Sequence, residues 1–280
     1  MAKIVGAAMM SHVPLLGLAV DHAKKEEEYF KPVFNAFDVS KKWIEDINPD
    51  AIILVYNDHA SAFSLDLIPT FAIGCAAEFM PADEGFGRRE VPIVPGYPEL
   101  AWHIAQSTIL DEFDITIVNK MDVDHGLTVP LSLMFGEPDE WPIPIIPLAV
   151  NVIQYPPPTG NRCLNLGKSI KRAVGSFPEN KRVVIFGTGG MSHQLQGRRT
   201  GLINQEFDTN YLDKFGSAPE ELAKIPHEDY LRLAGSEGIE LVMWLVARGA
   251  MNERVREIHR HYHVPISNTA IGHLILENEI

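Results

Sequence analysis

The chain has only two cysteines in 280 residues, Cys75 and Cys163. A disulfide scaffold is therefore excluded, and a reducing compartment, the cytosol by default, is the expected setting. Long apolar runs are missing as well: no stretch reaches the ~20 residues that a membrane-spanning helix needs. The apolar stretch near the N-terminus is cut by Ser11-His12-Val13-Pro14 and offers no good small-residue cleavage site. It reads as a first strand and not as a signal peptide. Positive charge is scarce, with 24 Lys and Arg against 37 Asp and Glu and a formal net charge of −13. That balance argues against a nucleic-acid partner, whose binding rests on neutralising phosphates. It also means that an anionic ligand needs local donors, because the global field opposes it. Repeats, low-complexity tracts and obvious linkers are lacking too. A single domain over 1–280 is expected, long enough to bury a sizeable core.

What the chain does have is histidine just beyond its strands. Residues 3–10, 51–56, 115–119 and 182–187 read as buried strands. They lead to His12, His59, His125 and His193 respectively. Further apolar strands are expected at 68–75 and 143–152, and near the C-terminus at 258–263 and 266–275. Helical patterns fill 24–47 (broken near Pro32), 98–113, 164–176 and 238–248. Residues 81–98, rich in Gly and Pro, read as an ordered loop, and 192–226 as a long, partly helical connection. Strands alternating with helices predict a three-layer α/β/α fold with a mixed central sheet. In such sheets ligands bind beyond the carboxyl ends of the strands. If the four strands are parallel neighbours, four imidazoles converge on one crevice. Imidazole is the commonest protein ligand for a transition metal and handles protons near neutral pH.

Each histidine also has a plainer reading. His12 alone could be a structural hydrogen-bonder after a strand. His59 follows Tyr56-Asn57-Asp58, a polar cluster that a surface loop would explain. His125 stands in Met121-Asp-Val-Asp-His125, which a solvated acidic turn would explain. His193 follows Gly187-Thr-Gly-Gly-Met-Ser192, glycine-rich but without the Lys-Ser/Thr of a phosphate loop or the spacing of a dinucleotide fingerprint. Those glycines read as room for close backbone approach. The alternating His259, His261 and His263 read as a solvated segment ahead of a metal site. The remaining His22, His103, His227 and His273 read as surface or core fillers. Glu240, ahead of an apolar helix, is either a first-turn residue favoured by the helix dipole or a metal-facing carboxylate. Two neutral histidines and one carboxylate with open positions make the facial triad of non-haem Fe(II) oxygenases.

Six segments carry a resemblance. They are Ser11-His12-Val13-Pro14, Val55-Tyr-Asn-Asp-His-Ala-Ser-Ala-Phe63, Ile68-Pro-Thr-Phe-Ala-Ile-Gly74, Met121-Asp-Val-Asp-His-Gly126, Gly187-Thr-Gly-Gly-Met-Ser-His-Gln-Leu195 and Gly235-Ser-Glu-Gly-Ile-Glu-Leu-Val-Met-Trp244. In order and over nearly the whole chain, they resemble the class III extradiol ring-cleaving dioxygenases, most closely the catalytic beta chains of the protocatechuate 4,5-dioxygenase branch. The resemblance implies Fe(II) held by His12, His59 and Glu240, with His193 as acid/base. It implies His125 hydrogen-bonding a substrate hydroxyl or bound oxygen, and Asn57 and Ser267 lining the substrate pocket. It also implies O2 as co-substrate and a small alpha chain that caps the site in an α2β2 assembly. The motifs hold iron and two ring oxygens and leave the ring substituent open, so gallate or a methylated gallate is the alternative substrate. A zinc hydrolase on the same triad and a non-catalytic subunit are the remaining readings; the full ligand set together with His193 argues against the second.

Overall fold

The computed structural model describes residues 1–279. The first half of the chain runs β1 (Lys3–Met10), α1 (Pro14–Asp21), α2 (Lys31–Ile47), β2 (Ala51–Tyr56), β3 (Phe71–Gly74), β4 (Glu78–Pro81), β5 (Val94–Pro95), α3 (Pro98–Leu110), β6 (Thr116–Val118), β7 (Asp122–Val123) and α4 (His125–Phe135). The second half runs β8 (Ile145–Val150), α5 (Gly160–Ser176), β9 (Arg182–Thr188), α6 (Gln205–Phe215), α7 (Pro219–Leu222), α8 (His227–Asp229), a π-helical turn (Tyr230–Ala234), a 3-10 turn (Glu237–Glu240), α9 (Leu241–Gly249), β10 (Val255–Ile266) and β11 (Thr269–Asn278). None of the described helices is long and apolar enough to cross a membrane.

Eight strands form one mixed sheet in the order β10-β11-β1-β9-β2-β8-β3-β6. The centre, β1-β9-β2-β8, is parallel. The β10–β11 hairpin joins β1 antiparallel, and β3 joins β8 antiparallel. Parallel strands covered on both faces need apolar residues at every position, which is why they read as unbroken runs. Ala7, Met9, Ile53, Val55, Val183 and Ile185 pack with α3, α5 and α9. Ala8, Met10, Ile52, Leu54, Val184 and Phe186 pack with α1, α2 and α4 on the other face. The expected α/β/α layering and mixed sheet are thus present.

Several boundaries differ from expectation for local reasons. Pro32 does not break a helix over 24–47. It stands in the first turn of α2, where a missing N–H costs nothing, and residues 24–30 form turns ahead of it. The helix α5 starts a turn earlier than the expected residue 164, because Thr159 accepts from Arg162 N–H at 3.2 Å and caps it. The loop at 81–98 includes β5, which with β4 and β7 makes a second, three-stranded sheet. The largest difference concerns the third histidine-bearing strand. β6 lies at the sheet edge beside β3, with β8 and β3 between it and β2. It is no neighbour of β1, β9 and β2.

The C-terminal hairpin carries its own imidazoles. His273 on β11 is fully buried and stacks on Phe37 of α2 at 4.1 Å between centroids. Its Nδ1–H donates to Met9 O (2.9 Å), so Nε2 accepts from the Ser40 hydroxyl (2.5 Å). The ring is therefore neutral, and burial pushes its pKa down to about 3. His261 pairs across the hairpin with His273. His259, His261 and His263 are half-buried, not solvated as the sequence suggests, and burial lowers all three. They do not bring three metal-ligating atoms together.

These histidines make folding pH-dependent. Below the unfolded value of about 6.5 the unfolded chain binds protons that native His273 refuses until about 3, so stability falls as pH falls through that window. His273 alone contributes a slope of about 1.4 kcal/mol per pH unit. Urea unfolding at pH 7.5, 6 and 5 should show that decline, and His273→Leu, though less stable, should show it reduced by one proton. An unchanged slope in His273→Leu would mean that this ring is not the neutral group.

Candidate metal centre

Three adjacent parallel strands end side by side. Beyond β1 comes His12, beyond β2 come Asn57 and His59, and beyond β9 a glycine turn leads to His193. His125 arrives by another route, as the first residue of α4 behind the N-cap Asp124. Glu240 ends the 3-10 turn that feeds α9. The His12 ring lies 5.3 Å from His59 and 5.7 Å from His125, and His59 and His125 stack at 3.9 Å. Nε2 of His12 and of His193 stand 3.6 and 3.8 Å from the same Glu240 oxygen. His12, His59, His125, His193 and Glu240 therefore converge on one place.

Each imidazole is gripped on its Nδ1 side. The Thr188 hydroxyl donates to Gly126 O (3.3 Å), so it accepts from His12 Nδ1–H (3.0 Å). Asp124 accepts from His59 Nδ1–H at 3.0 Å and also from the His59 and Gly126 amides. Glu84 accepts from both the amide (2.9 Å) and Nδ1–H of His125. Met191 O accepts from His193 Nδ1–H at 2.7 Å. These acceptors engage Nδ1–H and turn every Nε2 toward the centre, the arrangement found behind metal-bound histidines. His59 Nε2 accepts from Asn57 Nδ2 (3.0 Å), while the other end of that amide, Oδ1, is buried without a partner among the described residues.

Two carboxylates here are buried and ionised. Burial alone would raise Glu240, but His12 and the other imidazoles outweigh it and hold the group well below the usual carboxylate range. Its partners are those rings and the Gly190 N–H (2.6 Å); among the described residues no Lys or Arg pairs with it. Asp124 follows the same balance: burial raises it, His59 and His125 lower it, and it settles at about 2. The close approach to Glu240 requires glycine. Gly189 has φ +127°, and a Cβ there would stand 2.8 Å from Glu240 Cβ. This is the close backbone approach that the glycine run predicts.

The pocket positions fare differently. Asn57 is fully buried against His59. Ser267 is exposed in the turn between β10 and β11, at φ +58°, with its N–H donating to the Tyr29 hydroxyl. No hydrogen bond joins its side chain to the histidines; its hairpin neighbour Thr269 instead bridges to His193. Asp124, Thr188 and Glu84 were not foreseen as orienting groups. Asp124 carried a signal, a capping residue directly before a histidine, but Glu84 lies 41 residues from His125 in a separate loop. Among the large apolar side chains, Leu65, Leu67, Ile68, Ile153 and Tyr155 are exposed. Two of them line a small cavity with Asp58, Ala60 and Phe63.

Comparison with known proteins bears on this constellation. The family model described as the catalytic LigB subunit of aromatic ring-opening dioxygenase matches residues 6–272. A gallate dioxygenase of Pseudomonas putida is 41% identical over 197 residues, 70% of this chain and 58% of that protein. A 2,3-dihydroxyphenylpropionate/2,3-dihydroxicinnamic acid 1,2-dioxygenase of Rhodococcus is 30% identical over 78% of this chain and 61% of its own length. The chain thus spans less than two thirds of these relatives. The crystal structure of an uncharacterized protein from Escherichia coli K12 shares the fold, with a TM-score of 0.59 at 13% identity over 97% of this chain and 99% of that one. With a family model covering almost all of its length and its histidines and Glu240 drawn together beyond the sheet, the chain belongs to the family of catalytic LigB subunits of aromatic ring-opening dioxygenases.

Proposed function

We propose that the chain catalyses Fe(II)-dependent extradiol cleavage of a carboxylated catechol with O2, and that gallate is its substrate ahead of protocatechuate. The observation that carries the metal reading is Glu240. It is an ionised carboxylate buried among imidazoles with no Lys or Arg partner among the described residues. A buried charge of this kind calls for a cation. His12, His59 and His125 also hold ligand atoms within 4.8 Å of one another. Three neutral imidazoles would leave a divalent ion uncompensated, whereas His12, His59 and Glu240 supply one negative charge and leave positions open. His12, His59 and Glu240 would hold the iron, which would supply there the redox chemistry that joins a catechol to O2.

The other residues handle protons and orientation. His193 presents an Nε2 lone pair, so it can take the proton of the second ring hydroxyl and later return it. The His125 ring, with Nδ1–H committed to Glu84, accepts a hydrogen bond from a hydroxyl. With His59 Nε2 given to a metal, the Asn57 amide N–H would be free to donate to a ring substituent. Ser267 enters this reading only through its hairpin turn. The 41% identity to a gallate dioxygenase supports gallate over the protocatechuate of the motif-based expectation. The exposed Leu67 and Ile68, which line a small cavity with Asp58 next to His59, support a small second chain that covers this end, as the resemblance implies.

His12→Ala, His59→Ala and Glu240→Ala should each lose iron and turnover together. Stoichiometric iron with near-normal turnover in any of them would remove that ligand from the set.

His193→Ala should keep iron and bind substrate while losing about 10²–10⁴-fold in turnover, the usual range for a general acid/base. Loss of iron would instead make His193 a ligand.

Oxygen uptake across gallate, protocatechuate and catechol tests the substrate. Hydrogen bonds to a charged group contribute about 1.5–3 kcal/mol. Carboxylated rings should therefore exceed catechol in kcat/KM by about tenfold or more, with gallate highest. Asn57→Ala should erode that preference more than Ser267→Ala. Equal kcat/KM for gallate and catechol would refute a carboxylate-reading pocket. Bound zinc without O2 uptake would point to a hydrolase.

A further inference from the structure

His193 is held from behind by a peptide group. Its Nδ1–H donates to Met191 O at 2.7 Å, and its own N–H donates to Ala234 O at 2.8 Å. The Met191 carbonyl belongs to the same planar unit as the N–H of Ser192. That N–H donates to Asp208 Oδ1 at 2.8 Å, and the Ser192 hydroxyl donates to Asp208 Oδ2 at 2.5 Å. Oδ2 also accepts from the Tyr262 hydroxyl at 2.8 Å, and Ser192 Oγ accepts from the Asn204 amide at 2.7 Å. Asp208 stands in the first turn of α6 and is fully buried.

The plain reading is a polar knot that ties α6, β10 and the loop beyond β9 together. Three neutral donors close around the carboxyl, and burial pushes its pKa up. That is a costly way to join segments, since a buried charge loses its hydration. The direction of the bonds supplies a second role. Gripping Ser192 N–H locks the plane of the peptide whose oxygen holds His193, and hydrogen bonds in such a chain polarise one another. The carboxylate thus acts on the imidazole through one rigid amide, without touching the ring.

We propose that Asp208 is a positioning residue for His193, acting through the peptide between Met191 and Ser192. The proposal rests on the reading of His193 as the acid/base. Neither Asp208 nor Tyr262 contributes to the metal set, so iron content should not move with them.

Asp208→Asn keeps the shape and removes the charge. Turnover in iron-loaded protein should fall by about 10- to 100-fold, the scale of a small misplacement of a reacting group. KM should stay within about threefold and iron content should be unchanged, because the ring is displaced and the ligands are not. In a His193→Ala background the same substitution should change turnover by less than about twofold, since the ring it positions is gone. Tyr262→Phe, which removes one donor to Asp208 and is the milder change should Asp208→Asn fold poorly, should lower kcat with KM and iron unchanged. Multiplying losses in the double variant would overturn the proposal. So would wild-type kcat in Asp208→Asn, or a parallel fall of kcat, iron and folded protein in both single variants. Wild-type O2 uptake and His193→Ala turnover are measured first. A wild type that takes up no O2, or a fully active His193→Ala, overturns the acid/base reading and this proposal with it. An active wild type with a crippled His193→Ala leaves the Asp208 result to decide the proposal alone.

Discussion

A negative charge at Glu240, buried with no Lys or Arg beside it among the described residues, constrains the whole upper end of the sheet. Such a charge is tolerated only where cationic or strongly polar groups close around it. Here the Gly190 amide donates to it, and Nε2 of His12 and of His193 faces it. Bringing them to one carboxylate requires β1 and β9 to be parallel neighbours, so that their ends coincide. It also requires α9 to start directly above them, with a turn lacking a side chain at Gly189. The long apolar strands and the buried α9 supply the rigidity that holds this cluster together.

That dependence explains what the chain reveals before its structure is known. Strands with both faces buried read as unbroken apolar runs, and three of the four converging histidines follow such runs, His193 after a glycine turn. His12, His59 and His193 were therefore legible by position alone. Glu240 was legible only as one of two readings, since a first-turn carboxylate looks the same whether it serves the helix dipole or a metal. The fourth histidine was found for a reason that the fold does not bear out. His125 follows a strand in sequence, but β6 lies at the far edge, and the ring reaches the centre on the first turn of α4 through the small second sheet. Order along the chain identified the residue, and only the sheet topology shows how it arrives.

What stayed hidden is the layer behind the imidazoles. Thr188, Asp124, Glu84 and the Met191 carbonyl come from β9, an N-cap, a loop and the glycine turn. No spacing rule joins them to their histidines, because each contact is made across the tertiary structure or by the main chain. Ser267 shows the converse. Its place in a motif pointed to the pocket, yet a left-handed φ turns that residue into the exposed hairpin corner. Side-chain direction depends on the local backbone, which a motif match does not specify.

The orienting contacts share one chemical consequence. Four imidazoles donate through Nδ1 to four different acceptors, and so all four offer Nε2 to the same space. The acceptors differ in strength. Carboxylates stand behind His59 and His125, a hydroxyl behind His12 and a carbonyl behind His193. A charged acceptor holds an N–H more strongly than a neutral one does. The four rings thus face one space while being held by unlike groups, and the difference between them lies in what stands behind each one.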